Sequence, residues 1–467
     1  MKEVFKNNVY MEPAQEVPVA CTADVIVVGG GPGGIGAAVS AARCGAKTVL
    51  IERCGYLGGM GTGGLVTMFP HMTGGTDVLM PGGIMEDVIR RLDEAGACWH
   101  PPLDILGSDR PEDVEHWRKE GMWFVSDEGR VRLTMYHDVN MLKCIYNDIV
   151  TDAGVRLYLH AWGTKAIVEN GRVAGVVFES KSGRMCARGR MVVDATGDAD
   201  LLPSAGIEST KKMDFHLRIR NMAQSFHIGN VDADRLEKWE SENPGAIDEA
   251  SRRAFEEDCF VAPSTGLISR ARSGSIWVNN FIPGMNRPLV DSSNVEDLTS
   301  VSVYAYKKME RTLLFYRRNV PGFENAKIIY CAPVLGIRGG RRLVGEYTLV
   351  EKDMAEGRDF HDTIIAVPHL EHDVSEQFPL RCVPYRCIVP KKVDGLLVAG
   401  RSFSSQDRVN EMINLMPHCM GIGQAAGTAA AMAVRQGIEA RAVDTNALRA
   451  SLREQGIYLP LHEDEKE

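Results

Sequence analysis

The stretch VIVVGGGPGGIGAAVSAARCGAKTVLIER, residues 25–53, determines how the rest of this chain can fold. Val25–Val28 is a β-branched apolar run, which is typical of a buried parallel strand. Small residues from Ile35 to Ala42 predict a helix that packs closely on a sheet, and Gly45 ends that helix. Thr48–Ile51 predicts a second strand. The stretch therefore indicates a strand–helix–strand unit of the doubly wound α/β type.

A glycine pattern connects the first strand to the helix. Gly29, Gly31 and Gly34 have the spacing G-x-G-x-x-G, which allows a tight turn, a close approach to a pyrophosphate and close helix–strand packing. Free N–H groups at the start of the helix favour phosphates. Glu52 ends the second strand, where it can accept hydrogen bonds from ribose hydroxyls. Because all these features occur in register, the stretch predicts a dinucleotide site rather than a structural loop.

The composition narrows the class of protein. A length of 467 residues suggests two or three domains, and 44% hydrophobic with 25% charged residues is ordinary for a globular chain. The net charge of −9 argues against a nucleic-acid or anionic-membrane surface. Eleven cysteines are scattered without a C-x-x-C pair, so we expect neither a redox dithiol, nor an iron–sulfur cluster, nor another metal.

The N-terminal residues and the hydropathy predict the cellular location of the protein. The first residues contain charges but no apolar segment of the signal-peptide kind, and no apolar run reaches membrane-spanning length. The cysteine usage fits a reducing compartment. We therefore expect a cytoplasmic protein without a membrane partner.

Nucleotide-domain signals occur at both ends of the chain. Residues 84–95 and 138–152 have helical periodicity, and a meander with turns at Asn170-Gly171 and Ser182-Gly183 precedes a strand that leads to Asp194. Near the C-terminus, VDGLLVAGRS predicts a buried strand and CMGIGQAAGTAAAMAVRQG a tightly packed helix. We expect an α/β fold: a Rossmann-like domain interrupted by an inserted α+β substrate domain. The predicted divisions are a lead-in (1–22), the first part of the nucleotide domain (23–205), a substrate or cap domain (206–390), the second part of the nucleotide domain (391–446) and a tail (447–467).

Several motifs are distributed along the chain: DVIVVGGGPGGIGAA, ERCGYLGGMGTGGLV, VVDATGDADL, NVPGFENAKI, RRLVGEYTL, VPYRCIVP and GLLVAGRS with MPHCMGIGQAAGTAAAMA. Together they resemble a known family, the FAD-dependent oxidoreductases that are distantly related to fumarate reductase flavoproteins. The resemblance implies FAD as the cofactor, and no second G-x-G-x-x-G is present for a nicotinamide cofactor.

The resemblance also implies how the chain would surround an extended FAD. The backbone at Trp162 would meet the adenine, and the Thr196-Gly197 pair would line the adenosine. Residues along the ribose, pyrophosphate and ribityl chain, and a helix beginning near Met420 whose N–H groups point at the flavin, complete the site. The predicted cofactor-binding set is Gly29, Gly31, Pro32, Gly33, Gly34, Glu52, Arg53, Gly58, Gly59, Trp162, Thr196, Gly197, Gly400, Arg401, Met420, Gly421 and Ile422.

The acid–base candidates are histidines. His418 precedes the helix expected at the flavin, and an imidazole titrates near neutral pH. The other catalytic candidates are His369 and His372, which precede the VPYRCIVP strand and could face the substrate, and Arg386, which lies within that strand. Further arginines and histidines of the inserted region could bind a carboxylate or phosphate: His216, Arg218, Arg220, His227, Arg338, Arg341, Arg342 and Arg381. His71 lies in the region where related flavoproteins attach flavin covalently, but its local pattern differs, and we expect non-covalent FAD.

Two classes of function fit the sequence. The first is an enzyme that transfers a hydride between a small polar organic substrate and the flavin. The alternative is an electron-transfer flavoprotein subunit of a larger redox complex, and a flavin-dependent ring synthase is a more distant third. The substrate, a homo-oligomeric state and an external electron acceptor or donor are left open by the sequence.

Overall fold

The computed structural model describes residues 5–6, 9–212, 222–260, 266–279, 290–368 and 380–462. The strand predicted at Val25 is longer than expected, Val19–Val28, and it lies inside a seven-stranded sheet. It pairs in parallel with Thr48–Ile51 on one side and with Gly183–Asp194 on the other. Thr48–Ile51 pairs in parallel with Arg156–Tyr158 at the edge. The predicted α/β fold with a Rossmann-like, parallel-containing sheet is confirmed.

Both faces of this sheet are covered. Val25 and Val27 belong to one hydrophobic core, whereas Ile26 and Val28 belong to another. Because neighbouring side chains of a strand point to opposite faces, this alternation places one core on each side of the sheet. Burial on both faces explains why the strand sequence is continuously apolar rather than alternating.

The strand Gly183–Asp194 joins three parts of the chain. Its first half pairs antiparallel with Arg172–Ser180, which pairs with Trp162–Glu169, and these strands form the predicted meander. Its last residues, from Val192 to Asp194, pair in parallel with Leu396–Val398. The C-terminal part of the chain therefore contributes a strand to the sheet that the N-terminal stretch begins.

Two glycine-rich helices pack against each other beside this sheet. The N-terminal glycine helix is Pro32–Arg43 and the C-terminal glycine helix is Met416–Gln436. A Cβ atom added at Gly36, Gly423 or Gly427 would lie closer than 3.0 Å to a backbone oxygen of the other helix. Only glycine fits at these positions, since real Cβ atoms do not come that close. The two helices thus meet backbone to backbone.

The other elements form small sheets and helices around this centre. Short strands pair in small sheets: Phe5–Lys6 with Val9–Tyr10, Met68–Phe69 and Cys98–Trp99 each with Met135–His137, Ser209–Thr210 with Arg342–Leu343, Met222–Ala223 with Gly336–Ile337, and Thr363–Pro368 with Leu380–Pro384. The helices of this part are Ile84–Glu94, Pro111–Glu120, Val139–Asp152, Leu202–Ala205, Glu351–Ala355, Asp407–Ile413 and Thr445–Glu454.

A separate hydrophobic core lies within residues 222–337. Its three-stranded antiparallel sheet has Phe226–Gly229 between Ser275–Val278 and Lys327–Cys331. Its helices are Ala233–Glu242, Ala246–Glu256, Leu267–Arg272 and Val295–Asn319. We call the described residues between 222 and 337 the cap.

The cap core is smaller than the insertion expected from the sequence. Leu349, Ile365, Val383 and Val389 belong to the hydrophobic core of the N-terminal strand–helix–strand unit, although the sequence placed residues up to 390 in the inserted domain. Their strands, Thr363–Pro368 and Leu380–Pro384, form a hairpin whose first strand contacts the C-terminal glycine helix. In its packing, this hairpin belongs to the hydrophobic core beside the sheet and not to the core of the cap.

The contact between the two glycine helices predicts that a side chain at Gly427 destabilises the protein. We expect Gly427→Ala to destabilise the protein by about 1–3 kcal/mol, because its methyl group would collide with the Ala37 carbonyl oxygen. Gly437→Asn is the matched control at the end of the same helix: its φ of +70° suits Asn, and the nearest atom is 3.9 Å away. Urea unfolding should separate the two variants, and equal midpoints would contradict the close helix contact.

Candidate functional site

A single cavity of about 810 Å³ extends from the glycine loop of the N-terminal strand–helix–strand unit to the cap. At one end it is lined by the loop residues and by the strand ends that surround them. At the other end it is lined by cap residues, among them Ala223, Arg270, Trp277 and Ile337. The cap therefore forms a wall of the cavity into which the predicted nucleotide loop opens.

The N-terminal glycine helix presents an open N-terminus to this cavity. Gly31 is its N-cap; it makes no side-chain cap hydrogen bond, and no acidic residue occupies the first turn. The N–H groups of this turn and the positive end of the helix dipole can therefore hold an anion. Two other glycines lie close by: a Cβ at Gly59 would be 3.0 Å from the Gly31 Cα, and a Cβ at Gly33 would be 2.9 Å from the Gly400 Cα. These approaches form a narrow, side-chain-free cradle that fits a pyrophosphate.

Glu52 lies at the edge of the cradle and is mostly buried. One carboxylate oxygen accepts a hydrogen bond from the Gly30 N–H, and the other accepts from the Cys54 N–H at 2.7 Å. The carboxylate thus holds the glycine loop in shape. Each oxygen keeps a second lone pair, so both can still accept from a ribose hydroxyl.

The C-terminal glycine helix begins four residues earlier than the sequence suggested. It starts at Met416 with Pro417 in its first turn, and the Cys419 N–H already donates to the Leu415 carbonyl. Leu415, Met416 and Cys419 line the cavity.

The assignment of Met420, Gly421 and Ile422 to the cofactor stays a prediction, and their positions do not favour it. These residues lie within the helix, where their N–H groups are used by the helix itself, and they do not line the cavity. The open N–H groups belong to the first turn, and that turn has neither a side-chain cap nor an acid.

An ion pair forms part of the cavity wall. Arg401 donates to Asp198 over 2.7 Å, and both side chains are largely buried. Thr196 is fixed beside them, because its N–H and hydroxyl both donate to the buried Asp194 carboxylate. Ordered charges and hydroxyls thus border the cavity beyond the glycine cradle.

Most of the predicted cofactor set lines this cavity. The lining residues are Gly29, Gly31, Pro32, Gly33, Glu52, Arg53, Thr196, Gly197, Gly59, Gly400 and Arg401. Gly34 packs against the Gly29 backbone instead, and the Gly58 N–H donates to the Gly30 carbonyl. Trp162 is 55% exposed and does not line the cavity, although the Arg53 guanidinium lies 5.7 Å from its ring centroid.

The predicted catalytic residues are mostly not at the cavity. His418 is fully buried and is absent from the cavity wall, and burial, reinforced by the nearby Arg381, lowers its pKa to about 3. Arg386 binds both carboxylate oxygens of the buried Asp362, at 2.9 and 3.1 Å, and does not line the cavity either. These positions argue against acid–base work by His418 and substrate binding by Arg386. His369, His372, His216, Arg218 and Arg220 lie outside the described residues and stay predictions.

The remaining candidates of the inserted region have mainly structural partners. Arg342 is buried and pairs with Asp407 at 3.1 Å, and Arg341 lies 3.7 Å from Asp200. The His227 ring is within 3.1 Å of the Ser275 hydroxyl. Arg338 is the member of this group that lines the cavity.

Among the described residues, His71 is the histidine that lines the cavity. It follows the glycine-rich loop, has a φ of +57° and is 3% exposed. Burial, together with the positive charges of the nearby Arg132 and Arg381, holds the pKa of His71 well below the ordinary value. Its Nδ1 atom is buried without a hydrogen-bond partner among the described residues. The structure therefore presents a neutral imidazole with an unused nitrogen at the cavity.

The sequence did not predict the other polar and aromatic residues at the cap end of the cavity. Trp123, Tyr136, Arg270, Trp277 and Asn279 line the cavity, but they come from four separate segments and share no motif. The fold brings them together.

One further group of potential metal ligands lies away from the cavity. Among the described residues, ligand atoms of Asp93, Cys98 and His100 lie within 4.8 Å of one another. Cys98 Sγ and His100 Nε2 contact the same Asp93 oxygen at 3.1 and 3.0 Å, and His100 Nδ1 is 2.7 Å from the Pro101 carbonyl oxygen. These are hydrogen-bonding contacts, and we assign no metal to them. Over the described part of the chain, no helix has the length and apolarity needed to cross a membrane.

Comparison with protein families identifies the class. The model of the FAD dependent oxidoreductase family matches residues 24–452, so this chain belongs to that family. The cofactor is FAD, as the glycine cradle and the two open helix N-termini indicated. No curated protein matches the sequence.

The solved structures that this chain is similar to are distant from it. A geranylgeranyl bacteriochlorophyll reductase-like protein from Thermoplasma acidophilum is 16% identical, with a TM-score of 0.43, and the alignment covers 93% of this chain and 82% of that one. The p-nitrophenol 4-monooxygenase of Pseudomonas putida is 10% identical, with a TM-score of 0.44 and coverage of 93% and 85%. At this level of similarity neither protein indicates a substrate for this chain.

We expect valine substitutions at Gly31 and at Gly34 to have different effects on folding and FAD binding. A Cβ at Gly31 meets no protein atom closer than 4.0 Å, so Gly31→Val should fold normally but lose FAD, because the side chain enters the phosphate cradle. A Cβ at Gly34 collides with the Gly29 carbonyl oxygen, so Gly34→Val should destabilise even the FAD-free protein. Flavin absorbance and melting temperatures of the FAD-free proteins measure both effects. A Gly31→Val protein that retains FAD would contradict the cradle.

The buried histidines predict a loss of stability in acid. Burial lowers the pKa of His137 to about 4 and that of His418 to about 3, whereas an unfolded histidine titrates near about 6.5. Below pH of about 6.5 the unfolded chain binds more protons at these sites, so stability falls by about 1.4 kcal/mol per pH unit for each histidine. Urea unfolding of the wild type and of His418→Asn between about pH 7 and pH 4 should give diverging stability curves, with the wild type falling more steeply. Parallel curves would show that His418 is not held neutral.

Proposed function

We propose that this protein is an FAD-dependent oxidoreductase that transfers a hydride between a small polar organic substrate and the flavin. The observation that carries the proposal is the continuous cavity, which joins the open N-termini of both glycine helices to the polar and aromatic wall of the cap. A substrate held against that wall would share one enclosed space with the cofactor.

The glycine helices supply the cofactor end of this arrangement. The first turn of the N-terminal glycine helix and the Gly59 and Gly400 backbones would hold the pyrophosphate, and Glu52 would hold the ribose. FAD supplies the hydride chemistry, and its reduced form carries negative charge on the pyrimidine side of the ring. The open N-terminus of the C-terminal glycine helix would stabilise that charge.

Proton movement needs a separate group, and we assign it to His71. The imidazole lies at the cavity, and its Nδ1 atom has no hydrogen-bond partner among the described residues. It can therefore accept a proton from the substrate as the hydride leaves, or return one in the reverse direction. His369 and His372 stay alternatives from the sequence.

We further propose that the FAD domain is discontinuous. The strand Leu396–Val398 and the C-terminal glycine helix support this, since they pack onto the N-terminal sheet and helix. The cap would then be the substrate domain that covers the flavin, built around the core within residues 222–337.

The first test is the cofactor and its electron source. The purified protein should carry FAD that is released into the supernatant by acid precipitation, because no covalent link is expected. Under anaerobic conditions a small molecule from a metabolite panel should bleach the flavin absorbance. Reduction by a protein donor alone would overturn the proposal in favour of an electron-transfer subunit.

The second test compares two histidines. With a reducing substrate, His71→Asn should slow flavin reduction by about 10²–10⁴-fold at unchanged FAD content, since proton transfer loses its acceptor. His418→Asn is the control, because His418 is buried away from the cavity, and its rate should stay within about tenfold of the wild type. The opposite ranking would return the acid–base role to His418.

A further inference from the structure

The cap end of the cavity has hydrogen-bond donors that lack acceptors. Arg270, from the helix Leu267–Arg272, donates through one terminal nitrogen to the Tyr136 hydroxyl at 3.1 Å, whereas its Nη1 atom is buried with no partner in the described parts of the chain. The indole N–H of Trp277 is likewise buried and unpartnered there. Both residues line the cavity.

The charge of Arg270 is also uncompensated. Within the described residues it forms no ion pair, whereas Arg272, on the same helix, pairs with both Asp234 and Glu237. A partly buried guanidinium with an unused N–H is costly unless an anion completes it.

The acidic residues of the cavity wall are engaged elsewhere. Glu52 accepts from two backbone N–H groups at the dinucleotide end, and Asp198 is paired with Arg401. Glu411 has an interaction of its own. Among the described residues, no carboxylate of the cavity wall pairs with Arg270, so a ligand anion would complete its hydrogen bonding.

Aromatic rings determine the shape of such a ligand. Trp123, Tyr136 and Trp277 line this end, and the Tyr136 and Trp277 ring centroids are 6.4 Å apart at 81°. Trp123 meets the His71 ring edge-on at 5.1 Å. Flat apolar walls of this kind favour an aromatic ring, since such rings pack in offset-stacked or edge-to-face contacts.

We propose that the substrate of this site is an aromatic carboxylate, whose carboxylate is bound by Arg270 and the Trp277 indole N–H and whose ring lies between Trp123, Tyr136 and Trp277. Two N–H donors can bind the two oxygens of one carboxylate. His71, on the same cavity wall, would then face the substrate and not bulk water. This inference rests on the proposed function and narrows its substrate class.

The test uses three planar carboxylates, benzoate, cinnamate and indole-3-carboxylate, with benzamide as the neutral analogue. Binding to the FAD-loaded protein is measured by the shift of flavin absorbance and by quenching of tryptophan fluorescence. At least one carboxylate should bind saturably and at least about tenfold more tightly than its neutral analogue. Arg270→Gln should weaken that binding by about tenfold or more while FAD content and benzamide binding stay unchanged.

Two further variants test the contribution of the Trp277 N–H and the specificity of the Arg270 effect. Trp277→Phe keeps the ring but removes the N–H, and we expect about a three- to tenfold loss of carboxylate affinity. Arg272→Gln is the matched control, because Arg272 lies on the same helix but is bound to surface carboxylates, and it should bind like the wild type.

The proposal is overturned if none of the three carboxylates binds, if benzamide binds as tightly, or if Arg270→Gln leaves carboxylate affinity unchanged. An Arg270→Gln protein that only loses FAD or shifts the flavin potential would assign this arginine to the cofactor and also overturn it. Loss of the proposed function would look different, because a protein without FAD could still bind the carboxylates, as read by tryptophan fluorescence.

Discussion

The backbone contact between the two glycine helices is the constraint on which the rest of the structure depends. Gly36, Gly423 and Gly427 leave no room for a side chain between the helices, which therefore approach more closely than larger residues would allow. The contact joins a helix from the start of the chain to one near its end, and the strand Leu396–Val398 joins the same sheet. A long insertion can then lie between them without separating the two parts of the site.

This contact has an electrostatic consequence. Each of the two helices begins at the cavity, and neither first turn has an acidic residue or a side-chain cap. Two positive helix ends therefore face one cavity, which suits a ligand with negative charge at more than one point. FAD has a pyrophosphate and, once reduced, a charged ring, so the cofactor and the helix geometry are complementary. Arg270 extends the same preference for negative charge to the cap end.

The parts that the sequence predicted are those encoded by local patterns. The G-x-G-x-x-G loop, the strands beside it, the meander turn at Asn170 and the small-residue helix each follow from residues close together in the chain. The start of that helix was placed too late, because the small residues after Met420 were a clearer signal than Pro417. His418 looked favourable for the same reason, and only the packing shows that its ring is turned into the core. Trp123, Arg270 and Trp277 could not be found, since tertiary contacts alone bring these distant segments to one wall.

The central claim is that the dinucleotide cradle and the cap wall belong to one site with the flavin between them. A crystal structure of the FAD-loaded protein tests it most directly. We expect the pyrophosphate to accept hydrogen bonds from the first turn of the N-terminal glycine helix. We expect the flavin ring to lie at the start of the C-terminal glycine helix, with its reactive face toward His71, Arg270 and Trp277. A flavin ring that points away from the cap, with these three side chains facing solvent, would contradict the account.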